Sequence, residues 1–176
     1  MPASIDRSHF MQQAFVGAIR AAAAAFLVVV FAGGAAAQNA PSLSSGQVLY
    51  LPIYSHIYHG DQDKQGKPSQ TLVSTHVSIR NTDPQLPVKI LYARYYDTDG
   101  KLVREFLRAP LVVPPLGTHE LFVPRGDVSG GSGANFLIAW SAGEAANPPL
   151  VEALHADVQP ARTLIFVTTA RPISPR

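Results

Sequence analysis

Cysteine is missing from all 176 residues of the chain. Without thiols there is no disulfide framework, no thiolate zinc site, no iron–sulfur cluster and no cysteine nucleophile, so any metal must be held by His, Asp or Glu. Charge is scarce too: 15% of residues are Asp, Glu, Lys or Arg, with a net charge of +2. That balance supplies neither the basic face of a nucleic-acid binder nor the charge load of a disordered tail, and nucleic acid drops out as a partner. Long stretches free of proline are few. The 15 prolines are spread as far as Pro175, and that spacing argues against long helices. There is one tryptophan, Trp140.

What is present begins with an apolar N-terminal segment. Arg7 and Arg20 precede the run from Ala21 to Phe31, and Gly33 and Gly34 weaken a helix before Ala35-Ala36-Ala37. This is the order of a secretory signal peptide, residues 1–37, with small side chains at the two positions that a signal peptidase reads. The expected products are a cleaved chain starting at Gln38 and a periplasmic or secreted location. The rival reading is an anchor: residues 21–37 reach the short limit for spanning hydrocarbon, and only then is the membrane a partner. Arg7, Arg20 and Asp6 would leave with the segment, so the remainder is nearly neutral.

Residues 38–46 read as a polar leader, 47–168 as the folded domain and 169–176 as a C-terminal tail. Within the domain, Gln47 to Tyr54 is an expected strand that Pro52 pushes toward an edge or bulge, followed by a loop from His59 to Ser69. Thr71 to Asn81 has the cleanest alternation, with Val73, Thr75, Val77 and Ile79 on one face. Val88 to Tyr96 and Lys101 to Leu107 flank Asp97-Thr98-Asp99-Gly100, a hairpin turn by its Asp-Gly chemistry. Glu120 to Val123, Ala134 to Ser141, Leu150 to Val158 and Thr163 to Thr168 complete the set, with Phe136, Ile138 and Trp140 forming one apolar stripe. Eight short segments and no crossover helix predict an all-β fold, a single antiparallel β-sandwich of immunoglobulin-like type behind the signal helix.

Four phrases stand out: Tyr54-Ser55-His56-Ile57-Tyr58-His59-Gly60-Asp61, Ser78-Ile79-Arg80-Asn81-Thr82-Asp83, Tyr95-Tyr96-Asp97-Thr98-Asp99-Gly100-Lys101-Leu102-Val103 and Gly130-Gly131-Ser132-Gly133-Ala134-Asn135-Phe136. Together they resemble the bacterial family known as domain of unknown function 3124, over roughly Gly46 to Phe166. The resemblance implies an exported bacterial protein. It implies no activity and transfers no catalytic residue.

Chemistry-bearing residues concentrate in Tyr54, His56, Tyr58, His59 and Asp61. An extended chain puts Tyr54, His56 and Tyr58 on one face and His59 on the other, whereas a turn there would let His56, His59 and Asp61 converge on a divalent metal. The spacing lacks the helical frame of a metalloprotease motif, and hydrogen-bonded histidines fixing a loop are the simpler expectation. Asp61 to Gly66 echoes a calcium loop but lacks its later ligands. Gly131, Ser132 and Asn135 mark a second candidate, a glycine-rich turn whose backbone could receive an anion or partner; it lacks the strand–Ser–helix order of a nucleophile elbow. Trp140 is expected in the core, and at least one of Tyr92, Tyr95 and Tyr96 must lie near the surface.

With every catalytic template incomplete, the expectation is a non-enzymatic binding or interaction module of the cell envelope, needing no cofactor. Its partner would be a protein or an envelope component. The alternative is a His/Asp metal-binding or hydrolytic protein centred on Tyr54 to Asp61.

Overall fold

The computed structural model describes residues 42–174, and all regular structure among them is β. The segment on which the export reading rests lies outside the described residues. Twelve strands are found: β1 (Ser44–Pro52), β2 (His56–Gln62), β3 (Pro68–Leu72), β4 (Ser74–Arg80), β5 (Val88–Tyr96), β6 (Leu102–Glu105), β7 (Leu111–Val113), β8 (Thr118–Val123), β9 (Asn135–Ala146), β10 (Leu150–Gln159), β11 (Arg162–Thr169) and β12 (Arg171–Ile173). They form a six-stranded sheet in the order β12-β1-β9-β5-β6 with β7 also on β5, a four-stranded sheet β11-β10-β4-β8, and the hairpin β2-β3. Every pairing is antiparallel.

Alternation sets which side chains go inward. On β4, Thr75, Val77 and Ile79 are buried beside Val73, while His76 is half-exposed and Arg80 exposed. On β9, Phe136, Ile138 and Trp140 are buried, Trp140 to 1% exposure. One apolar cluster draws on both larger sheets, with Leu51, Ile90, Phe136 and Trp140 from one and Val77, Ile79, Val123 and Val151 from the other. Burying a side chain of tryptophan size contributes on the order of 3 kcal/mol or more.

β9 is the spine of the larger sheet, pairing with β1 on one side and β5 on the other. The β1 register shifts between Ser44 and Gly46. A Cβ at Gly46 would stand 2.8 Å from the Trp140 carbonyl oxygen, so the strand can close here only with glycine. Pro52 sits beyond the stretch that β12 pairs, Val48 to Tyr50, and its missing N–H costs no ladder bond there.

Several expected boundaries move. His59 to Ser69 is not a loop: its outer parts form the β2-β3 hairpin, because a regular register pairs His56, Ile57, Tyr58 and His59 with Leu72, Thr71, Gln70 and Ser69. The strand expected over Thr71 to Asn81 breaks at Val73, where the chain passes from that hairpin into the four-stranded sheet and the Val73 N–H donates to the Ser55 carbonyl. β9 continues to Ala146 rather than stopping at Ser141. β7 and β12 hold three residues each, too few to show a periodicity. The Asp97–Gly100 turn forms as expected, with Gly100 at φ 79° and the Asp97 carboxylate accepting from Asp99 and Lys101 N–H groups.

Candidate functional site

β2 begins at His56, and its pleat decides what the aromatic and imidazole groups can reach. His56 and Tyr58 share a face, their rings edge-on at 4.9 Å. His59 lies on the other face, where its Nε2 is 2.9 Å from the Thr71 hydroxyl of β3. Asp61 is exposed near the hairpin tip and Tyr58 is 53% exposed. Tyr54 precedes the hairpin, with its ring edge-on to His155 and Phe166. The turn that would have gathered His56, His59 and Asp61 does not occur. Among the described residues, no three His, Asp or Glu side chains are grouped as metal ligands.

Ser55 connects this run to the second candidate. Its N–H and its hydroxyl both donate to the Gly131 carbonyl, at 3.1 and 2.9 Å. With the only hydroxyl proton used there, the 3.0 Å contact to His56 must be Nδ1–H donating to Oγ. Ser55 is buried and its hydroxyl is committed to structure, an arrangement unlike that of an activated nucleophile. His56 Nε2 is buried without a hydrogen-bond partner among the described residues.

The glycine-rich turn is held from its other side by the β5-β6 turn. The Thr98 N–H and hydroxyl both donate to the Gly130 carbonyl, and the Gly133 N–H donates back to Thr98 Oγ1 at 3.0 Å. Gly131 has φ 74°, and a Cβ there would lie 2.5 Å from Thr98 Oγ1, so conformation and space both require glycine. Ser132 is half-buried within the turn, and Asn135 opens β9 between Pro52 and Tyr96. Tyr95 lies beneath, stacked on Phe136 at 5.0 Å, its hydroxyl pushed up to about 12 by burial.

Buried polar groups brace the same end. His155 is fully buried between Tyr54 and Phe166, the latter ring parallel at 4.5 Å, and its Nε2 accepts the Tyr54 N–H at 3.2 Å. Desolvation pushes its pKa down to about 4. Asp157, also buried, accepts from the Gln159 amide and sits 2.7 Å from Arg162 and 3.1 Å from Arg125. These donors, Gln159 foremost, hold its carboxyl below the usual range.

A family model described as a protein of unknown function, DUF3124, matches residues 46–173. The chain belongs to that family. No curated protein matches it. A solved structure titled "Crystal Structure of Thermotoga maritima 1070" is similar at 13% identity and a TM-score of 0.41, over 71% of this chain and 92% of that one. Three of the four phrases that carry the family resemblance, Tyr54–Asp61, Tyr95–Val103 and Gly130–Phe136, meet at the hairpin end through Ser55 and Thr98. The fourth, Ser78–Asp83, lies at the opposite end of β4. There the Asp83 carboxylate accepts from Asn147, Gln85 and Leu86 N–H groups, and the Asn81 amide donates to Leu86, Val113 and Pro114 carbonyls.

Ser55, Thr71, Thr98, His155 and Asp157 also belong to this end and stand outside the expected site residues. Ser55 and Thr98 lie within the family phrases, the one signal that points at them. Nothing local marks His155 or Asp157, whose burial depends on strands distant in sequence.

Proposed function

We propose that the protein is an exported, non-enzymatic binding module of the bacterial envelope, periplasmic or secreted, which engages a protein or envelope component through the hairpin end. The observation that carries this reading is the use made of the polar groups there. Ser55, Thr98, the Nδ1 of His56 and the Nε2 of His59 all make hydrogen bonds that fix the β2-β3 hairpin and the glycine-rich turn, while Tyr58 and Asp61 project from the fixed frame. A rigid scaffold presenting an aromatic and a carboxylate suits recognition rather than turnover. Export draws its support from the N-terminal segment. The wider architecture fits the same reading: two antiparallel sheets sharing one core are what an immunoglobulin-like sandwich requires, with loops at its end free to bind.

Capture of partners from envelope extract, with wild type beside Tyr58→Ala and Asp61→Ala variants of equal melting temperature, tests the reading. A partner retained by wild type and lost from both variants is the expected result. Capture indifferent to these substitutions refutes it.

A further inference from the structure

The outer strands of each sheet leave a row of backbone N–H and C=O groups without a strand partner, and proteins guard such rows with proline, charge or shortness. Among the described residues, most edge strands here carry such guards. β12 is three residues with Arg171 and Pro172, β7 is three residues followed by Pro114, and β6 is four residues that include Arg104 and Glu105. β8 carries Glu120 and runs into Pro124. β11 differs. It is eight residues long, Arg-Thr-Leu-Ile-Phe-Val-Thr-Thr, and pairs with β10 at eight consecutive positions without a bulge. From Thr163 to Thr169 it has no charge, no proline and no glycine. Ile165 and Val167 are each 53% exposed, and Leu154 and Phe122, in the cross-strand row of Val167, are exposed as well.

We propose that β11 pairs with β11 of a second copy of this chain, antiparallel about a two-fold axis, joining two four-stranded sheets into one continuous sheet. The strand's own sequence selects a second copy. Centred on Phe166, the pairing sets Thr163 against Thr169, Leu164 against Thr168 and Ile165 against Val167, while Arg162 of each copy falls beyond the run. No like charges meet, β-branched residues face one another at Thr163/Thr169 and Ile165/Val167, the two Phe166 rings meet at the axis, and Leu164 faces Thr168. This register keeps Ile165 and Val167 of both copies on one face, so the exposed apolar row continues across the axis. Each copy offers the same surface, which closes the assembly at two. A foreign strand would find no charge between Thr163 and Thr169 by which to be selected. The self-pairing is independent of what the hairpin end binds.

Sedimentation equilibrium over a concentration series, with wild type beside Ile165→Lys, is the primary test. Ile165 is exposed, so the lysine leaves the melting temperature of the monomer in place while placing a charge in each half of the pairing. Wild type is expected to dimerise, and Ile165→Lys to raise the dimer dissociation constant by more than about tenfold. Because the chain has no cysteine, cross-linking gives a second readout. Ile165→Cys with Val167→Cys is expected to yield a covalent dimer on oxidation, and Phe122→Cys on the opposite edge strand is not. A wild-type monomer throughout the series, a dimer that survives Ile165→Lys, or cross-linking through Phe122→Cys overturns the proposal.

Discussion

His155 sets a pH dependence that a surface histidine would not. Its pKa is pushed down to about 4 in the fold by burial, against 6.5 for the free side chain. Between these values the unfolded chain binds more protons than the folded one, so stability is full above about pH 6.5 and declines as pH falls, levelling near pH 4. The whole loss is on the order of 3 kcal/mol. Protonation would also put a second N–H against the Tyr54 N–H that Nε2 accepts. Asp157 and Asp83 are shifted downward, so their contributions are lost only at still lower pH. Urea midpoints measured from pH 8 to pH 3 should show the first decline in wild type and lose it in His155→Gln. Leu116 makes a second case at this scale. It holds φ 57° with an exposed side chain, a conformation costing a branched residue about 1–2 kcal/mol. Leu116→Asn, which tolerates that region, should raise stability by roughly 0.5–1 kcal/mol in thermal melts.

β2, β3 and the glycine-rich turn stand or fall together, because two hydroxyls hold them. Ser55→Ala removes the hydroxyl bond to Gly131 and leaves His56 Nδ1–H without its acceptor, which should cost about 1–3 kcal/mol. Thr98→Val acts on the neighbouring Gly130 carbonyl, and the two changes together should depart from additivity in a double-mutant cycle. Chelation should leave the melting temperature where it is, since these bonds need no ion. A purified protein with stoichiometric zinc or copper, and a melting temperature that drops with chelator, would instead place a metal at this end. β4 and the first part of β9 were legible because their period-two patterns are long and one-sided. The β2-β3 hairpin was not, because its short strands mix polar and apolar side chains on both faces, with Ile57 beside His59 and Tyr58 beside His56, so no one-sided period-two pattern marks them.

In the whole molecule, one core joins the two larger sheets, and Trp140 is its largest member. Trp140→Ala should cost about 3–5 kcal/mol, enough to unfold a marginal domain. Near-ultraviolet circular dichroism and native fluorescence give the check: a variant that melts like wild type would contradict the burial. The exposed outer face of β11, β10 and β8 is the counterpart of that core, with apolar groups that the monomer leaves in water.

The β class, the inward stripes Val73–Ile79 and Phe136–Trp140, the Asp97–Gly100 turn and the family are all legible along the chain. Each rests on a local cause: alternation along a strand, the conformational range of one glycine, or a phrase read in order. What those pieces meet depends on how distant strands pack. Ser55 and Gly131 are 76 residues apart, and a bond from a hydroxyl to a backbone carbonyl leaves no trace in composition or period, since every residue has such a carbonyl. His155 and Asp157 alternate along β10 like any inward positions; only the rings and guanidinium groups brought by other strands make one a buried neutral imidazole and the other a braced carboxylate. Which strand is left at the edge is likewise a property of sheet order, which the pattern along a single strand does not contain.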